Sequence, residues 1–199
     1  MVNSRNRVIA LSAVGISGGI SAIITIALVG DTFGFPGTVE YRVYETFNRA
    51  MGFFIALQTC ALLGFHFQNS RALRKVGRAA LYLAIIAWIG MALGTAAEFW
   101  LYSHLPYGEA NIRSTAFSVF SISSLLGGLA LLALGIDLFL SQVLPRYFSV
   151  ILMLYLVIDF GLWIWGQSIF LAPALAALAF GDMALRCLRG SRVLPLEKA

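Results

Sequence analysis

The stretch Gly90-Met91-Ala92-Leu93-Gly94-Thr95-Ala96-Ala97-Glu98-Phe99-Trp100 places an ionisable carboxylate inside an apolar run, residues 79–103, long enough to cross a bilayer. On a helix, Ala87, Gly90, Gly94, Glu98 and Tyr102 share one face by the i, i+3 and i, i+4 rule, so the acid lies beside a GxxxG pair. A carboxylate turned to hydrocarbon is costly, and this face is therefore expected to look into protein. The stretch predicts an all-α bundle whose polar groups are collected inside.

Composition carries the same reading to the whole chain. Of 199 residues, 60% are hydrophobic and 12% charged, where a soluble domain has about a quarter charged. The sequence predicts a polytopic membrane protein, embedded in the lipid bilayer of the cell membrane. Its formal charge of +5 comes from short loops and tails, which the positive-inside rule explains without a nucleic-acid partner. Cys60 and Cys187 form no CxxC pair, and neither a disulfide nor a redox motif is expected. Arg5 and Arg7 precede an apolar run that resembles a signal peptide in charge pattern only. That run is membrane-length and lacks a small-residue cleavage site, so the first helix is expected to be retained.

Six apolar segments follow from the hydropathy pattern, at about 8–30, 48–68, 79–103, 115–140, 147–165 and 167–186. They form one transmembrane domain over 1–190, followed by a short basic tail, 191–199. Arg5, Arg7, Arg71, Arg74, Lys75, Arg78, Arg146, Arg186, Arg189, Arg192 and Lys198 fall on one side of this six-helix bundle. Only Arg42, Arg49 and Arg113 fall on the other. The N- and C-termini are thus both expected in the cytoplasm. Between the last two segments, Trp165-Gly166-Gln167 predicts a tight antiparallel turn, and Pro173 predicts a kink in the last helix. Asn111 is the expected N-cap of the fourth helix. The outer stretch 40–49 reads as an interfacial helical turn leading into the second helix. A faint echo between 27–33 and 133–139 does not amount to an internal repeat, because the loop lengths of the two halves differ.

Small residues mark the expected helix-packing faces: Gly15 and Gly19, Gly90 and Gly94, Ser124 and Gly128, Ala177 and Gly181. The chemistry-bearing residues are few, and depth along the membrane normal, at about 1.5 Å per helical residue, removes most reactions. His66 and His104 lie a bilayer apart, so no haem or metal site is expected, and no cofactor. Asp137 lies near the cytoplasmic end while Asp159 lies about 18 Å from it, which separates the pair an intramembrane aspartyl protease requires. No lysine lies within any of the six apolar segments, and no Ser, His and Asp share a depth. No catalytic residue is assigned.

The same arithmetic gathers Glu98, Asp159 and Gln58 at about 7, 9 and 12 Å from the outer helix ends. Tyr102, Tyr155 and Trp163 lie nearby in depth, with Arg49 and Arg113 at the outer mouth. Two functions suit this pattern. The chain is expected to be a non-enzymatic structural or interaction subunit, packing through Gly- and Ser-rich faces against membrane-protein partners or a second copy. The alternative is a small-solute binding or transport protein using an outer pocket of these acids and aromatics.

Overall fold

In a computed structural model, residues 4–29, 38–106, 111–142, 144–164 and 170–189 are described. Among them the chain is entirely helical, with no strand. The helices are α1 (Ser4–Val29), α2 (Val39–Asn69), α3 (Lys75–Ala96), α4 (Ile112–Ser141), α5 (Arg146–Ile164) and α6 (Leu171–Arg189). A π-helical turn, Ala97–Leu101, continues α3. Five of the six are long and apolar enough to cross a membrane: Ser4–Val29, Val39–Asn69, Lys75–Leu101, Ile112–Ser141 and Leu171–Leu188. The expected turn at Trp165-Gly166-Gln167 and the basic tail lie outside the described residues.

Local chemistry fixes the helix ends. The Thr38 hydroxyl accepts from Tyr41 N at 3.1 Å, and Asn111 Oδ1 accepts from Ser114 N at 2.9 Å, so each supplies a partner for an end N–H. The cap at Thr38 starts α2 nine residues before the apolar run does. The stretch 40–49 is consequently part of one continuous helix, because Glu40 in the first turn and the Glu45–Arg49 pair support helix where hydropathy is low. Gln142 ends α4 in the left-handed conformation at φ 51°, and Pro145 follows just before α5. Pro173 does not kink α6. That helix begins at Leu171, which puts the proline in the first turn, where no N–H is required.

Sequential helices pack as antiparallel neighbours, and α6 closes the bundle against α1 and α2. Small residues set the spacing. A Cβ built on Gly15 would lie 2.3 Å from Ala61 N of α2, and one on Gly94 would lie 2.7 Å from Phe120 N of α4, so these backbones meet directly. Gly19 and Gly181 do the same between α1 and α6, Gly90 faces Ser123, and Gly128 faces Leu156 of α5. Ala177 is fully buried. The core is aromatic along its axis. Phe65 of α2, Phe148 of α5 and Phe180 of α6 hold ring centroids 5.1–5.6 Å apart.

Candidate functional site

The bundle has two polar ends. At one, Arg74 stands just before α3; its Nε donates to Asp137 Oδ1 of α4 at 2.9 Å, and its Nη2 donates to the Asp137 carbonyl at 3.4 Å. Asp137 fits there because Gly77 has no side chain; a Cβ would stand 2.3 Å from Oδ2. Arg78 donates to the carbonyls of Ser70 and Leu73 and so fastens the α2–α3 connection. Asp182 and Arg186 form the i, i+4 pair that their order favours, at 2.6 Å.

At the other end the π-helical turn presents Glu98. In this turn Tyr102 N donates to Ala97 O at 2.9 Å, a wider bond than the α-helix allows, and carbonyls of the last turns are freed for side chains. Two arginines collect them. Arg49 of α2 donates to Phe99 O at 2.7 Å, to Ser103 Oγ at 3.2 Å and to Glu45 at 2.8 Å. Arg113 of α4, 2% exposed, donates to Ser103 O at 3.0 Å, to Leu105 O at 2.6 Å and to the Tyr41 hydroxyl, with the Tyr41 and Phe99 rings beside its guanidinium. Arg49 and Arg113 therefore meet at Ser103. They fasten the end of α3 to both neighbouring helices.

Glu98 itself is 3% exposed. It lines a small cavity of about 30 Å³ with Asn48, Thr95 and the rings of Tyr44, Phe117 and Phe170. That volume holds a water molecule or two and no larger solute. Asp159 is half-buried and faces a different space, a groove of about 440 Å³ between α4 and α5 that also exposes Ser121, Ser124 and Leu156. Phe117 and Phe120 border both spaces, so they form the wall between the two acids. Ser124 thus lines the groove rather than a tight helix contact.

The remaining predicted residues lie deeper or at the rim. Asn48 lines the Glu98 cavity, and Gln58 is ten positions further along α2, about 15 Å away along the axis. Gln58 is fully buried in the middle of the bundle. Tyr155 is buried beside Trp88, ring centroids 5.9 Å apart. Tyr102 is half-buried after the π-helical turn, and the Trp163 side chain lies outside the described residues. Sequence reading did not single out Trp88, Asn48 or the Arg74–Asp137 pair. The polar Asn48 and Thr95, buried within membrane-length helices, carried the signal for the Glu98 cavity. Cys60 and Cys187 are free thiols on separate helices. No group of three or more metal-ligating side chains exists among the described residues.

Comparison with known proteins gives no assignment. No protein-family model matches the chain, and neither a curated protein nor a solved structure matches it.

Proposed function

We propose that this protein is a non-enzymatic interaction subunit of a membrane assembly, with six spans and both termini in the cytoplasm. Its α4/α5 groove receives a transmembrane helix that brings a hydrogen-bond donor or a cation to Asp159. One observation carries the reading: Asp159 is half-buried and faces an open groove instead of the bundle core. It lies thirteen positions from Arg146, so about 20 Å along α5 from the basic end. A carboxylate at that depth is costly to leave against lipid and is stabilised by a partner.

The groove's other features suit a helix. Ser121 and Ser124 stand one turn apart, and small hydroxyl residues let a neighbouring backbone approach while offering hydrogen bonds. Leu125 and Phe160 supply apolar edges. Against the solute-carrying alternative, Glu98 lines a space of about 30 Å³, at the scale of water. The six-span arrangement with cytoplasmic termini rests on the basic residues that gather at the Arg74 end.

A photo-crosslinking amino acid at Ser124, in cells that make the protein naturally, tests this reading. The expected result is a discrete adduct whose peptide maps to a transmembrane helix carrying Lys, Arg, His, Asn, Gln, Ser or Thr at the depth of Asp159. Asp159→Leu should abolish it. Adducts with lipid alone would overturn the proposal, as would a protein adduct that Asp159→Leu leaves unchanged. A reporter fused at Ala199 should read as cytoplasmic, and an external reading would overturn the orientation.

A further inference from the structure

Three buried side chains in the middle of the bundle carry polar atoms with no hydrogen-bond partner among the described residues: Gln58 Oε1 and Nε2, Trp88 Nε1 and Tyr155 Oη. They come from α2, α3 and α5 and are 0%, 0% and 5% exposed. Helix register puts them at one level. Phe65 of α2 and Phe148 of α5 touch, ring centroids 5.5 Å apart. From that contact, Phe65, Leu62 and Gln58 climb one buried face of α2, while Phe148, Leu152 and Tyr155 climb one buried face of α5. Each path covers seven positions, about 10.5 Å, in the same direction along the bundle. Gln58 and Tyr155 thus end at the same height on facing stripes.

Trp88 reaches this layer by two routes. Its ring lies 5.9 Å from that of Tyr155. On α2 and α3, a Cβ on Gly52 would meet the Thr95 side chain at 3.0 Å; six positions from Gly52 is Gln58, and seven from Thr95 is Trp88. On the α4 side stand Gly127 and Gly128. A Cβ on Gly127 would lie 3.1 Å from Trp88 Cζ3, and one on Gly128 would lie 3.5 Å from Tyr155 Cδ1, so both rings rest against bare backbone.

The chemistry of the three groups is complementary in a particular way. The indole N–H only donates, the phenol both donates and accepts, and the carboxamide has two donors and an acceptor. All three are uncharged, so no fixed charge here calls for a counter-ion. A water molecule, with two donors and two acceptors, gives each of the three side chains a hydrogen-bond partner, and buried waters occupy such polar interior sites in most folded proteins. Leaving this many polar atoms dry at the centre of an apolar bundle opposes folding. We propose that Gln58, Trp88 and Tyr155 form an internal water-binding site that joins α2, α3 and α5 by shared hydrogen bonds. It lies one helical turn from Asp159 along α5, yet does not depend on any partner binding there.

The test uses the full chain in nanodiscs with 15N-labelled tryptophan. The Trp88 indole resonance, identified by its loss in Trp88→Phe, is expected to show a cross-peak to a long-lived bound water, and Gln58→Leu should remove or strongly weaken it. Absence of that cross-peak in the native chain would overturn the site. Thermal denaturation gives a second, independent readout. Gln58→Leu should lower the midpoint by several degrees, because it strips the water of a partner and leaves the indole and phenol short. A raised midpoint would mean that the amide is dry and unsatisfied, and would also overturn the proposal.

Discussion

Glu98 and Asp159 are both single acids in apolar helices, placed on either side of Phe117 and Phe120, yet one is buried beside a small cavity and the other is half-buried on a wide groove. Glu98 is 3% exposed and shares about 30 Å³ with Asn48 and Thr95, whereas Asp159 is half-buried on a groove of about 440 Å³. The seams between helices explain the difference. At Gly94 the backbones of α3 and α4 come together, and the arginine clamps hold the end of α3 against α2 and α4. The α4/α5 seam is equally close at Gly135, beside Met153 and Ser149, and at Gly128, beside Leu156. Beyond Gly128 the small residues of α4 become Ser124 and Ser121, and the seam opens into the groove. Whether an intramembrane acid belongs to the interior or to an interface is thus decided by the neighbouring seam, and its own helix face does not show it.

The comparison is broken most forcefully at the seams themselves. Gly94→Leu should push α4 away from α3, because Phe120 N and Ala116 O already stand where a Cβ would go. A cost of about 3 kcal/mol is expected from overpacking against backbone that cannot yield. Ser124→Leu, in the groove, should change stability by less than about 0.5 kcal/mol. Denaturation of the two variants in detergent is the measurement. Equal tolerance would remove the distinction between a sealed and an open seam.

Arg113 offers a sharper but smaller probe of the sealed side. Arg113→Met keeps most of the stem's packing and removes the donors to Ser103 O, Leu105 O and the Tyr41 hydroxyl, at an expected cost of about 2 kcal/mol. Arg49 shares the clamp at Ser103 but is half-exposed, and Arg49→Met should cost about 1 kcal/mol. The reverse order in denaturation midpoints would show that α2, not α4, holds the π-helical turn.

Much of this architecture is legible in the sequence, for reasons that differ by residue. Apolar runs of membrane length give the helices, and Gly15, Gly90 and Gly94 announce close contacts because only a missing side chain permits them. The start of α2 is legible only in part: 40–49 reads as a helical turn, but that it is continuous with the apolar run is not apparent, since seven of the nine residues before that run are polar or aromatic and obey capping chemistry and not hydropathy. The separation of Glu98 from Asp159 was also hidden: depth along the normal can be counted from sequence, but the azimuth at which helices meet cannot. The π-helical turn, an insertion of register without a sequence signature of its own, belongs with these. Gln58 shows the same limit, because the early start of α2 shifts its level away from Glu98 toward the bundle centre.

The finest test exchanges charge for amide at each acid. Glu98→Gln keeps length and the ability to accept, and adds donors, inside a cavity with room for a water to re-pair them. In the isolated chain it should shift stability by less than about 1 kcal/mol. Asp159→Asn should be quieter still when the chain is alone, because its carboxylate looks onto a groove and not into packed protein. The two then part in the membrane of origin. The Ser124 crosslink should survive Glu98→Gln and weaken with Asp159→Asn, since only the second acid meets the docked helix. A crosslink lost with Glu98→Gln and kept with Asp159→Asn would transfer the interface to the sealed side and invert the comparison.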